Sequence, residues 1–262
     1  MRIRTLIVGY ALVLALFLFA KHVPPSTPHP EFRDMIDLTH PLNAKTPLFD
    51  ESPTPAYEAK TIATIAKDKY FAREISLPEH FGTHIDAPAH FAAGLWTVDQ
   101  IPAERLVGPL VILDVREQAL HNPDYLISVQ DIAQWEQKNG PVPLGSIVIA
   151  RTGWESRWNS AKEYRNADAH GVMHFPGFSL DAAKFLVEGR EIRGLGIDTL
   201  SLDYGRSQDF PVHEFVLGHS VYQLENVANL EKAPVKGALL VVAPMKLEGG
   251  SGSPVRLLAL ER

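Results

Sequence analysis

Residues 80 to 91 read His80-Phe81-Gly82-Thr83-His84-Ile85-Asp86-Ala87-Pro88-Ala89-His90-Phe91, and no other stretch of the chain restricts its folding as much. Three of the 11 histidines and an aspartate fall inside it. On a helix, at about 100° per residue, His80 and His84 would share a face and Asp86 would lie about 240° round from His80. In extended backbone, alternate side chains face the same way, so His80, Gly82, His84 and Asp86 share one side. Thr83 and Ile85 favour extended structure and Pro88 disfavours a helix. In the extended reading, Gly82 leaves room between two neutral imidazoles that stand beside a carboxylate. That is the donor set of an open metal site. A lone histidine is usually a structural or surface residue, but such a density of donors on one face is not accounted for that way.

The sequence contains no cysteine. Disulfides, thiolate metal sites and cysteine nucleophiles are therefore excluded. Any metal must be held by His, Asp or Glu, a set that suits zinc, manganese or a similar divalent ion. The 262 residues are 45% hydrophobic and 21% charged, ordinary values for a globular protein. The net charge is −6 and no block of Lys or Arg stands out, which argues against a nucleic-acid partner.

Arg2 and Arg4 precede an apolar run from Leu6 to Ala20. This reads as a signal peptide with a cleavage site near Leu18-Phe19-Ala20, or alternatively as an uncleaved anchor that would tether the chain to a membrane. Either expectation puts the remainder outside the cytoplasm, periplasmic or secreted. Residues 21–31, with Pro24, Pro25, Pro28 and Pro30, read as a stiff tether. Residues 32–262 read as one domain.

Apolar, β-branched runs predict buried strands at Pro109 to Val115, Ser146 to Ala150, Gly194 to Thr199 and Ala238 to Val242. Ser128 with Asp131 predicts a helix start, closing near Asn139-Gly140. Ser179 predicts another, stopped at Gly189. Strands with intervening helices indicate α/β or α+β architecture.

The pattern His-x-Gly-Thr-His-x-Asp-x-Pro-x-His-Phe resembles the signature of the cyclase family of metal-dependent hydrolases, which includes kynurenine formamidase and isatin hydrolase. The similarity runs through most of residues 34–260, including Ile36-Asp37-Leu38-Thr39-His40-Pro41-Leu42, Phe175-Pro176-Gly177-Phe178-Ser179 and Ser253-Pro254-Val255-Arg256. The resemblance implies a single-domain α/β (mixed α+β), swivelling β/β/α-like fold with a mixed sheet. It implies that His80, His84 and Asp86 bind metal, that Asp86 can bridge two ions, and that His90 transfers protons. It also implies a second metal position held by a His and a Glu twelve residues apart, which His213 and Glu225 match. On one unbroken helix these two would be about 120° apart. The chain must then bend between them, and Gly218 is a reasonable place. His219 is a lower-ranked alternative ligand.

The implied activity is hydrolysis of an amide, cyclic amide or lactone by metal-activated water, with one or two ions of zinc or manganese and His90 as general acid/base. A small-molecule substrate and a homo-oligomer are expected. The alternatives are a non-catalytic extracytoplasmic metal-binding protein and a ring-closing cyclase. Export, and the stretch Ser201-Leu202-Asp203-Tyr204-Gly205, weigh against N-formylkynurenine as the substrate. Phe49, Trp96, Trp154 and Phe175 are candidates for an aromatic pocket, although each such residue is more often core. Gly194-Leu195-Gly196 lacks a dinucleotide fingerprint. Ser251 and Ser253 read as loop residues, and His40, His170 and His174 have no assigned role.

Overall fold

Buried strands that show no polar face need cover on both sides, and the computed structural model provides it. It describes residues 32–50 and 56–261. The expected leader and the Pro-rich tether lie outside the described residues. Among the described residues, no helix is long and apolar enough to cross a membrane.

In chain order the elements are β1 (Asp34–Asp37), β2 (Glu58–Ala63), α1 (Ile65–Asp68), β3 (Ala72–Ser76), β4 (His84–Asp86), β5 (Val107–Asp114), α2 (Arg116–His121), β6 (Leu126–Ile127) and α3 (Val129–Asn139). They continue with β7 (Ile147–Arg151), α4 (Ala161–Arg165), β8 (Gly177–Phe178), α5 (Leu180–Arg190), β9 (Gly194–Ile197), α6 (Pro211–Gly218), β10 (Tyr222–Glu225), β11 (Ala238–Pro244) and β12 (Gly252–Glu261).

The main sheet has eight strands in the order β1-β12-β11-β5-β7-β9-β10-β4, and β4 also pairs with β12. The sheet thus closes on itself, with β1 attached outside the ring. β5, β7, β9 and β10 run parallel, while β4, β11 and β12 pair antiparallel with their neighbours. This is the mixed sheet expected of a mixed α+β fold.

β5 and β7 explain their own sequences. Leu110, Ile112, Ile147 and Ile149 fill the interior of the ring, whereas Val111, Leu113, Val148 and Ala150 face outward. The outward set packs against Ile132, Ala182, Ala183, Leu186, Val212 and Val216 of α3, α5 and α6. With both faces covered, a parallel strand reads as a continuous apolar run. Each Val, Leu or Ile among them contributes about 1.5–3 kcal/mol when fully buried.

Several boundaries differ from expectation. α5 runs through Gly189 to Arg190, and the left-handed residue that ends it is Glu191 at φ 49°. A glycine inside a helix costs about 1 kcal/mol, which the burial of Leu186 and Val187 on the same helix offsets. β9 stops at Ile197 rather than Thr199, because Thr199 turns its carbonyl to the Asn226 N–H. α3 is as expected: Ser128 and Asp131 form a capping box, and Gly140 follows at φ 85°.

Candidate metal centre

Strand β4 is short but decisive. Alternation buries Ile85 inside the ring and sends His84 and Asp86 to the outer face. On the neighbouring strand, Glu225 lies directly opposite His84. Opposite residues of an antiparallel pair share a face, and His84 Nε2 is 3.4 Å from Glu225 Oε2. Helix α6 packs over β10 and brings in His213. Its Nε2 is 3.2 Å from Glu225 Oε1 and 3.8 Å from Asp86 Oδ2. His80 completes the group, with Nδ1 2.6 Å from Asp86 Oδ1.

The route to His80 corrects the extended reading. Regular strand begins only at His84, and Gly82 sits at φ 65°, in the left-handed region. A Cβ on Gly82 would lie 2.3 Å from Leu42 Cδ2. Gly82 is therefore needed for a turn and for close packing on Leu42, not to space the imidazoles. The two rings still meet, edge to face, with centroids 5.3 Å apart. The bend between His213 and Glu225 is present: α6 ends at Gly218, but the positive φ falls on Ser220 (56°).

Hydrogen bonds orient the imidazoles. His84 Nδ1 donates to the Gly82 carbonyl at 2.9 Å, which turns Nε2 towards the carboxylates. His213 Nδ1 donates to Asp203 Oδ2 at 2.7 Å. Asp203 also accepts the backbone N–H groups of Val212 and His213 at the start of α6. A carboxylate behind a ligating histidine fixes its tautomer. In the sequence Asp203 stands out only as part of the stretch Ser201–Gly205. It lies too far before α6 for a capping pattern to reveal it.

Two donor groups result, His80–His84–Asp86 and Asp86–His213–Glu225, with the ligand atoms of each within 4.8 Å of one another. Asp86 belongs to both. It is 1% exposed, and its Oδ2 has no hydrogen-bond partner. A buried carboxylate oxygen without a donor calls for a cation. Burial alone would lower the pKa of His84, but Asp86 and then Glu225 outweigh it and raise it to about 9. His213 is likewise disfavoured by burial yet raised to about 10 by Asp203, Glu225 and Asp86. Burial and the nearby Asp86 push Glu225 up. The cluster thus demands positive charge, and its N/O donors fit one or two divalent ions.

His90 stands beside the group rather than in it. Its ring centroid is 4.1 Å from that of His80 and 6.4 Å from that of His213. His90 is exposed, yet partial desolvation pushes it down to about 4, with Asp86 pulling the other way. It is a neutral imidazole at pH 7, free to accept a proton.

The donors floor a pocket of about 360 Å³ whose walls include Phe49, Phe91 and Phe210. The Phe91 and Phe210 rings lie 4.9 Å and 5.7 Å from the His213 ring. Phe210 adopts φ 47°, ψ 48° immediately before Pro211. That conformation is strained for a bulky pre-proline residue, and such strain concentrates at functional sites. Of the expected aromatics only Phe49 lines this pocket. Trp154 and Phe175 are buried in a separate cluster, and Trp96 packs on the ring's core. Phe91 and Phe210 lay inside the motif runs without a pattern that marked them as walls. His219 faces away, bonded to the Phe215 carbonyl, and His174 pairs with Asp124. Ser251, read as a plain loop residue, touches His80 Nε2 at 2.9 Å.

The cyclase family model matches residues 36–204. Isatin hydrolase of Roseibium aggregatum is 34% identical over 242 residues, covering 87% of this chain and 91% of that protein. Kynurenine formamidase of Bacillus cereus is 26% identical over 238 residues, covering 85% of this chain and 95% of that one. The solved structure of isatin hydrolase A from Labrenzia aggregata bound to benzyl benzoate superposes with a TM-score of 0.82 at 35% identity, covering 87% of this chain and 93% of that one. The family match spans the motif and the strands that carry it, and the likeness in sequence and structure extends over most of both chains: this protein belongs to the cyclase family.

Proposed function

We propose that the Asp86-centred site opens the C–N bond of an aryl amide or of an isatin-like cyclic amide. The chain is a hydrolase of C–N bonds other than peptide bonds. The observation that carries the narrower reading is the two donor groups sharing Asp86 beneath a wall of three phenylalanines.

A divalent ion, zinc or manganese by its donors, supplies Lewis acidity when bound, lowering the pKa of water towards about 7 and polarising a carbonyl. His80, His84 and Asp86 would hold one ion, and Asp86, His213 and Glu225 a second. Phe49, Phe91 and Phe210 stack against a flat substrate and keep bulk water off the scissile bond. The neutral ring of His90 takes a proton from the attacking water and returns it to the departing nitrogen.

The test is a panel of isatin, formanilide and a simple δ-lactone, each offered to Zn²⁺-loaded and Mn²⁺-loaded protein. The expected result is kcat/KM highest for isatin or formanilide. Turnover of the lactone alone, or of nothing, contradicts the substrate class, and no turnover at all would favour a metal-binding role.

A homo-oligomer is also proposed. Among the described residues the β2–β3 hairpin pairs only with itself, and it exposes Ile62, Ile65, Tyr70, Phe71 and Ile75, at 49–69% of their full areas. An arm that exposes several large apolar side chains supports the reading of an association surface.

A further inference from the structure

We propose that Glu79 and Ser251 are a positioning pair, which holds His80 in the tautomer that turns an unprotonated Nδ1 towards Asp86 and so sets the affinity of the first donor group for its cation. The inference rests on the reading of that group as a metal position, not on the choice of substrate.

The Ser251 hydroxyl has one proton. It donates that proton to Glu79 Oε2 at 2.7 Å, and the Ser251 N–H donates to the same oxygen at 2.8 Å. Towards His80 Nε2, 2.9 Å away, Ser251 Oγ can therefore only accept. His80 Nε2 carries a hydrogen towards Ser251, and the proton that bridges Nδ1 and Asp86 Oδ1 at 2.6 Å is the one a cation would replace, which leaves the ligating lone pair to Nδ1. This is the reverse of His84 and His213, whose Nδ1 atoms are the donors and whose Nε2 atoms face the carboxylates.

The ring has little freedom to turn over. It lies against the start of β12, where a Cβ on Gly252 would meet His80 Cε1 at 2.5 Å and Nδ1 at 2.9 Å. The Ser251 carbonyl is tied to the Ala87 N–H at 2.9 Å, just past Asp86. The C-terminal strand is thus joined to the motif loop at the atoms that orient its first histidine. Nothing in the local sequence around either segment signals the pairing, since they lie 171 residues apart.

The experiment is a competitive chelator titration of the full chain with Zn²⁺, for the wild type, Ser251→Ala, Glu79→Gln and Ser251→Thr. Ser251→Ala should weaken the first Zn²⁺ equivalent by about 10–100-fold, the usual loss when a ligand's supporting partner is removed. Glu79→Gln should weaken it in the same direction, and Ser251→Thr should restore it. The metal-free melting temperature should stay at the wild-type value in all three. Long-range ¹H–¹⁵N spectra of the loaded wild type should show His80 protonated at Nε2, and Ser251→Ala should lose that single-tautomer signature. Unchanged affinity in Ser251→Ala and Glu79→Gln overturns the proposal. So does a loss of affinity that Ser251→Thr does not rescue and that accompanies a fall in metal-free stability. Failure of the aryl-amide panel leaves these binding results standing, whereas a wild type that binds no Zn²⁺ overturns the pair and the metal centre together.

Discussion

Asp86 has two unlike oxygens. Oδ1 faces His80 Nδ1 at 2.6 Å and His84 Nε2 at 3.2 Å, while Oδ2 has no hydrogen-bond partner. Burial disfavours its charge, but the imidazoles, His84 first, hold it well below the usual carboxylate range. Asp86 and then Glu225 raise His84 to about 9, and Asp203, Glu225 and Asp86 raise His213 to about 10, both from 6.5. The sign of the pH dependence follows. The fold favours the protonated imidazoles, so their contribution to stability is complete below about pH 6.5. It is lost as pH rises through about 9 and 10. Metal-free protein should therefore melt at progressively lower temperature from pH 7 to pH 10, while protein loaded with Zn²⁺, whose ligands need no proton, should change much less. Calorimetry across that range decides the matter, and a metal-free melting temperature that is flat or rises with pH would contradict the assignment of charge.

At the scale of elements, the parts legible in sequence were those set by neighbours in the chain. The Ser128–Asp131 capping box and the two-sided burial of β5 and β7 follow from local pattern alone. The histidine–aspartate spacing showed which side chains gather, but not that Gly82 turns or that regular strand is confined to His84–Asp86. Closure of the sheet through β4 and β12 joins residues far apart in the chain, and so does the support of His80 by Ser251, while Asp203 reaches His213 from a loop ten residues earlier that no local period encodes. The β2–β3 hairpin is an element of the opposite kind, locally formed but unsatisfied, with Tyr70 and Phe71 about 60% exposed. Sedimentation equilibrium should give a multiple of the chain mass, and Tyr70→Glu combined with Phe71→Glu should shift it to monomer. A monomeric wild type would remove the hairpin's proposed role.

Across the whole molecule, the ring of strands acts as a rigid mount. β4 supplies His84 and Asp86, β10 supplies Glu225, and α6 lays His213 over them from the outer face. His90 follows β4 by one short turn, and its ring lies 4.1 Å from that of His80 and 4.9 Å from that of Phe91. Binding and proton transfer are therefore assigned to separate residues of one scaffold. The most direct measurement is metal stoichiometry by elemental analysis, taken together with turnover on isatin or formanilide, for the wild type, Asp86→Ala and His90→Ala. Asp86→Ala should lose both metal and rate, because both donor groups share that carboxylate. His90→Ala should keep wild-type metal content and lose about 10²–10⁴-fold in kcat, the usual contribution of a general acid/base. If His90→Ala loses metal as fully as Asp86→Ala, or keeps both metal and full turnover, the division of roles is contradicted.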